Sequence, residues 1–262
     1  MDISALVVTY NEQERLRDCL QSISFCDQLV IVDLGSRDNS VQIGKEFASD
    51  LIHHKLVLIV EEIWKEVIPS LKYDWVLRAD PDEIFPEDLI EKVREIILLD
   101  NAEVGMITIP YQYFFFGQPL QYTIWGGVHN IPKIINRQRI NIQTRVHNGF
   151  IVKDGFKTLK IVSEGGSAVK HYWVDSYKQL LQKHFRYIKK EGNSRYERGE
   201  RFSFLSCFFE PIKAIHNNIF LYGGWRGGFV GIFLSFFFGW YVFMSLLSLG
   251  IFQWQVYIRE IR

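Results

Sequence analysis

Residues 3–53 read ISALVVTYNEQERLRDCLQSISFCDQLVIVDLGSRDNSVQIGKEFASDLIH, and this stretch decides the fold class. Ile3–Val8 is a continuous apolar run, the pattern of a parallel strand buried on both faces. Thr9-Tyr10-Asn11 turns the chain, and Glu12–Ile23 predicts a helix with Leu16, Cys19, Leu20 and Ile23 on one face. Leu29–Val32 is a second buried strand that ends in Asp33-Leu34-Gly35-Ser36. A helix from Asp38-Asn39-Ser40 to about Ala48 and a third strand at Leu51–His53 follow. A β-α-β-α-β order implies a parallel sheet with right-handed crossovers. Ligands of such sheets sit at the carboxyl ends of the strands, where Thr9–Glu12 and Asp33–Arg37 fall.

Further along, Glu61–Leu71 predicts a helix and Asp74–Leu77 a short strand running into Asp80-Pro81-Asp82-Glu83. Pro86 with acidic residues behind it opens a helix over Glu87–Leu99, and Val104–Pro110 is a strand. Tyr111–Asn130, rich in glycine and aromatics, has the composition of an irregular wall around a ligand. Ser176–Lys190 predicts an amphipathic helix bearing Tyr177, Leu180, Leu181, His184, Phe185 and Ile188 on one side.

Lys+Arg and Asp+Glu balance at 30 each, so no overall field favours nucleic acid. Basic residues nevertheless crowd Lys178–Arg201, a stretch suited to anionic headgroups or a solvated face. Cys19, Cys26 and Cys207 are odd in number and widely spaced, which fits neither a disulfide framework nor a CxxC metal site. The first residues lead straight into a strand without a basic n-region, so a secretory signal is not expected. From Gly227 to Ile258 there is no charged residue, and about 20 apolar residues suffice to span a bilayer. Trp225, Trp240 and Trp254, with Arg226 and Arg259, suit interfacial anchoring. The competing reading is a buried hairpin or two short helices broken near Gly239 and Gly250 and packed on a neighbouring subunit.

Chemistry points first to Asp80 and Asp82. Two carboxylates one residue apart after a buried strand can aim hard oxygen ligands at Mg²⁺ or Mn²⁺ held against phosphates. Asp33 can accept from a nucleobase imide or ribose hydroxyl, or can cap its own turn. Neither GxGxxG nor GxxxxGK[ST] is present, which removes the dinucleotide and P-loop fingerprints.

The segments ISALVVTYNEQERLRDCLQSI, QLVIVDLGSRDNSV and DWVLRADPDEIFP together resemble the opening half of family 2 glycosyltransferases. The resemblance implies an α/β GT-A nucleotide-diphospho-sugar transferase fold, with a mostly parallel central sheet and a hydrophobic, helical C-terminal region. It implies a donor pocket lined by Thr9, Tyr10 and Glu12, with Asp33 at the base and Asp80 and Asp82 as the metal pair. The second half is similar to small bacterial lipopolysaccharide-core enzymes through Val146-His147-Asn148, His171-Tyr172, Lys178–Tyr187 and the Gly-Arg turn Gly223–Gly228. That similarity places His171 at the donor phosphates or metal and His147 near the acceptor. Asn148 stands where the subgroup carries a Glu, and an amide cannot take the acceptor proton. His147, Glu164 and Asp175 are the other candidates for the base.

These readings imply a catalytic domain over residues 1–200 and a membrane-associating region over 201–262. The expected reaction is metal-assisted, inverting transfer from a UDP-, GDP- or dTDP-linked sugar to a membrane-linked glycan or lipid in envelope polysaccharide or lipopolysaccharide assembly. The expected location is the cytoplasmic face of the bacterial inner membrane, peripheral or with one segment inserted, with a homo-oligomer through the tail also open. Two rival readings are a catalytically silent membrane scaffold and a nucleotidyltransferase. The second lacks its glycine-rich triphosphate loop at Leu6–Glu12.

Overall fold

The computed structural model describes residues 2–57, 60–99, 102–143, 149–162 and 167–261. Two compact units partition the chain, residues 1–112 with 128–172 and residues 113–127 with 173–262. The amino-terminal half runs β1 (Ile3–Thr9), α1 (Leu16–Ser22), β2 (Gln28–Asp33), α2 (Ser40–Phe47), β3 (Asp50–His53), α3 (Val60–Val67), β4 (Trp75–Ala79), β5 (Glu83–Ile84) and α4 (Glu87–Leu98). There follow β6 (Val104–Phe115), β7 (Gln118–Pro119), β8 (Val128–Asn136), β9 (Ile140–Ile142), β10 (Phe150–Val152), β11 (Lys157–Lys160) and β12 (Val169–Val174). The remaining helices are α5 (Tyr177–Glu197), α6 (Phe204–His216) and α7 (Gly228–Ile261).

In the first unit the strand order is β3-β2-β1-β4-β8-β6-β12-β5, with β11 pairing beside β6. The β3, β2, β1 and β4 pairs are parallel, whereas β8 runs antiparallel to both β4 and β6. The α/β arrangement of the GT-A type expected from the sequence is therefore present, with its parallel half built from the first four strands of the chain. Leu6, Val30 and Val32 on the sheet bury against Ile63 and Val67 of α3, so the continuous apolar runs fill a core on the helix side. Thr9 lies beside Asp33 and Val7 beside Ala79. That register brings the carboxyl ends of β1, β2 and β4 to one edge.

Two local expectations differ. Helix α1 starts at Leu16 rather than Glu12, because Asn11 takes a left-handed φ of 55° and residues 11–13 bond to the β2–α2 loop instead. The segment expected to be irregular from Tyr111 is ordered at both ends. Tyr111 pairs with His129 and Gln112 with Val128 in the β6–β8 ladder, which leaves only the turn between Phe115 and Val128 outside those two strands.

In the second unit, Ser176 caps α5 by accepting from the Gln179 amide at 3.1 Å. Leu180, His184, Ile188 and Gly192 form its buried face at four-residue spacing. Helix α7 is continuous over 34 residues, so the breaks near Gly239 and Gly250 that the competing reading required do not occur. One glycine costs a helix only about 1 kcal/mol, which its apolar neighbours offset. A side chain at Gly239 would meet Ile215 of α6, and one at Gly250 would meet Phe202. Helix α6, which has no separate counterpart in the sequence reading, exposes Phe204, Leu205, Phe208, Phe209 and Ile212 along one face.

Helices α5 and α7 pack against each other at Gly192, where a Cβ would run into the Ser248 carbonyl oxygen. The same contact carries hydrogen bonds from Ser248 Oγ to the Ile188 carbonyl (2.7 Å) and from Arg195 to Ser245 Oγ (2.8 Å). Gly192→Ala is expected to force the helices apart and cost about 1–3 kcal/mol, the usual range for overpacking. A melting temperature equal to that of the wild type would show that the contact relaxes freely.

Candidate active site

The edge formed by β1, β2 and β4 carries two interlocked loops. Asn11 N–H donates to Ser36 Oγ (2.9 Å), Glu12 N–H to Ser40 Oγ (2.8 Å) and Gln13 N–H to Asp38 Oδ2 (3.1 Å). In return, Arg37 and Asn39 amides donate to Asn11 Oδ1 (2.7 Å) and Gln13 Oε1 (3.0 Å). Such reciprocal bonds satisfy backbone groups that helix or sheet would otherwise pair. Asp33 is buried, and its carboxylate accepts from the Gly35 and Ser36 amides at 3.1 Å. It thus holds the turn, the local role open to it from sequence. Thr9 is buried with its hydroxyl unpartnered among the described residues, and Tyr10 stays exposed.

Beyond β4, Asp80, Asp82 and Glu83 enter a charged cluster with Lys133 of β8. Lys133 is 4% exposed, donates to Asp80 Oδ2 at 2.9 Å and pairs with the Glu83 carboxylate. Tyr111 O–H donates to Glu83 Oε1 at 2.5 Å. The Asp80 amide donates to Glu83 Oε2 at 3.0 Å. Burial pushes both carboxyls up and Lys133 pulls both down. Asp80, with 47% of its side chain exposed, is held down at about 2 by Lys133. Burial dominates at Glu83, which is 0% exposed and is pushed up to about 7. Burial opposes the charge on Lys133, but Asp80 and Glu83 outweigh it and raise its pKa.

Lys133 is positioned through its neighbour. Arg78 of β4 donates to the Pro132 carbonyl and lies 4.1 Å from the Trp64 ring and 4.3 Å from the Phe150 ring. Burial between the rings lowers its pKa to about 10, which leaves it cationic. Asp82 is tied to the other side of the site. Its carbonyl accepts from the Tyr172 amide at 2.9 Å, and its Oδ2 lies 3.3 Å from His171 Nε2. The Arg15 guanidinium stacks over Tyr172 at 4.1 Å.

The family model described as glycosyl transferase family 2 matches residues 4–156, more than half of the sequence. The chain belongs to glycosyl transferase family 2. It is 23% identical to an uncharacterized glycosyltransferase of Rickettsia prowazekii, over 94% of this chain and 86% of that protein. It is 22% identical to the lipopolysaccharide core biosynthesis glycosyltransferase LpsC of Rhizobium meliloti, over 88% and 85%. Among solved structures, TarS 1–349 of S. aureus in complex with UDP superposes with a TM-score of 0.48 at 12% identity, over 74% of this chain and 66% of that one. Glucosyl-3-phosphoglycerate synthase of Mycobacterium tuberculosis, with Mn²⁺, UDP and glucosyl-3-phosphoglycerate, gives 0.34 at 20% identity over 43% of each chain. Its alignment thus spans less than half of that synthase.

Of the residues singled out from the sequence of this family 2 chain, Thr9, Tyr10, Glu12 and Asp33 meet at one edge, and Asp80, Asp82 and His171 gather beside Lys133. Asp175 belongs to the second unit, ahead of α5, where its amide donates to Gln179 Oε1 at 2.8 Å. His147, Asn148 and Glu164 lie outside the described residues. The sequence reading missed Lys133, Tyr111 and Arg78. A lysine inside the apolar strand Ile131-Pro132-Lys133-Ile134-Ile135 was the available signal, since an isolated charge there needs a buried partner.

Proposed function

We propose that this family 2 chain is a metal-dependent, inverting glycosyltransferase that moves a sugar from a nucleotide-sugar to a hydroxyl of a membrane-linked glycan or lipid. The observation that carries this reading is the approach of Asp82 and His171 to 3.3 Å, next to Asp80, on the sheet edge that also bears the Thr9 and Asp33 loops. No group of three or more acidic, histidine or cysteine side chains forms a ready metal cage among the described residues. That donor set still fits Mg²⁺ or Mn²⁺, which are commonly held by one or two carboxylates plus substrate phosphates. Asp82 and His171 would hold the ion, with Asp80 beside them. When bound, it would neutralise charge on the departing nucleoside diphosphate. The interlocked loops form a preorganised floor for the nucleoside, and the buried Thr9 hydroxyl retains hydrogen-bonding capacity there.

Inversion requires a base on the acceptor side to take the hydroxyl proton. His147, Glu164 and Asp175 are the candidates that the sequence offers. The relative named for lipopolysaccharide core biosynthesis supports an envelope glycan as acceptor. The stretch Gly224–Arg259 is long and apolar enough to cross a membrane, with a mean hydropathy of 2.0 over its most apolar window. Exposed Phe229, Phe236, Ile251 and Trp254 on α7 favour a lipid environment over a buried core helix. These features support the inner membrane's cytoplasmic face as the site of action.

The test is calorimetric titration of the full chain with UDP, GDP, dTDP and CDP, with and without Mn²⁺. One nucleotide is expected to bind only with the metal. If none binds under either condition, the proposal fails and the reading of a catalytically silent scaffold replaces it.

A further inference from the structure

The second unit holds a cavity of about 400 Å³, within the size range of small-ligand pockets, that the proposed donor site does not use. Phe115, Phe116 and Tyr122 of the turn after β6 line it, with Tyr177 of α5, Val230 of α7 and Arg226 just before α7. Its walls are fixed by aromatic contacts, Phe116 to Tyr177 at 5.0 Å and Tyr177 to Phe233 at 5.2 Å. The turn is strained where Phe116 lines the cavity, because its φ of 50° is a left-handed value that a non-glycine residue keeps only where the surroundings impose it.

Arg226 is exposed, and its guanidinium lies 5.1 Å from the Trp225 ring. It makes no hydrogen bond or ion pair through that group among the described residues. A cavity lined mainly by aromatic and aliphatic side chains, with the amides of Gln118 and Gln121 and the exposed cation of Arg226 at its lining, suits a ligand that is hydrocarbon at one end and anionic at the other. Apolar surface surrounds the same turn, with Phe220, Leu221 and Phe229 all exposed. We infer that this cavity receives the single hydrocarbon chain of a lipid phosphate, with the phosphate at Arg226. The volume suits one chain rather than two. The inference rests on the membrane-surface reading above and is independent of the donor site.

The test uses the full chain in a neutral maltoside detergent, with lipid binding read by native mass spectrometry and titration. The probes are dodecyl phosphate, dodecanol, inorganic phosphate and dioleoyl phosphatidylglycerol. One dodecyl phosphate is expected to bind saturably, at least tenfold tighter than dodecanol, with no binding of inorganic phosphate. Arg226→Gln should erase the preference for the phosphate and keep the chain affinity, whereas Gln121→Trp at the lining should weaken both. Unchanged dodecyl phosphate binding in Arg226→Gln, or equally tight binding of phosphatidylglycerol, would overturn the inference. Metal-dependent nucleotide binding is measured on the same samples. Its retention with no lipid binding sinks only the lipid site, and its absence with lipid binding intact sinks only the transferase reading.

Discussion

Lys133→Met is expected to destabilise the first unit by about 3–5 kcal/mol, the usual loss when one partner of a buried ion pair is removed. Methionine matches the length of the side chain and leaves little cavity, so the change isolates the charge. The cost falls on Glu83, which is fully buried and would keep, among the described residues, only the Tyr111 hydroxyl and the Asp80 amide as donors. Asp80 carries a smaller share of the cost than Glu83, because water screens its half-exposed carboxylate. A second replacement, Glu83→Gln, should restore much of the stability, since an amide needs no counter-charge. The deficit should also depend on pH with a definite sign. Glu83 has a folded pKa of about 7, above its unfolded value of 4.5, so the folded state retains a proton that the unfolded chain gives up between those values. Stability contributed by that proton is complete below 4.5 and is lost as pH rises through 7. Removing Lys133 raises the folded value further, so the variant's deficit should be small near pH 5 and largest above pH 8. Denaturant unfolding at both pH values measures this. A deficit independent of pH would show that Lys133 acts through packing alone.

The parts of this site that sequence reveals are those whose local pattern and chemistry coincide. Ile3–Thr9 and Gln28–Asp33 are buried on both faces, so their apolar runs carry the strand order and place Thr9 and Asp33 at the edge without any long-range information. Asp80 and Asp82 are legible for the same reason, since they follow a short buried strand directly. Their partners come from far along the chain. Lys133 lies 53 residues beyond Asp80 and His171 lies 89 beyond Asp82, and both pairings depend on strands that join the sheet in antiparallel order. Nothing local marks that order. The tail shows the opposite limit. Helix α7 is apolar nearly all round, so periodicity could not choose between one helix and two, and the deciding contacts are the side chains that meet Gly239 and Gly250.

Asp82→Asn is expected to abolish metal-dependent nucleotide binding and to lower sugar transfer by about 10²–10³-fold, in line with losing a major electrostatic contributor to leaving-group stabilisation. The replacement is nearly isosteric and keeps an oxygen facing His171, while the Asp82 carbonyl still accepts from the Tyr172 amide. Folding should therefore be little changed, and a melting temperature within a few degrees of the wild type serves as the control. Asp80→Asn should behave differently. One oxygen of Asp80 already faces Lys133, so the loss of its charge weakens that pair and should affect stability as well as binding. His171→Ala separates the two contributions, because it removes the nitrogen donor and leaves both carboxylates in place. Metal affinity reduced in Asp82→Asn and His171→Ala alike, with folding intact, is the pattern that a shared ion demands. If Asp82→Asn binds nucleotide with undiminished Mn²⁺ dependence, the ion sits elsewhere, and the contact between Asp82 and His171 serves to join β12 to the loop after β4.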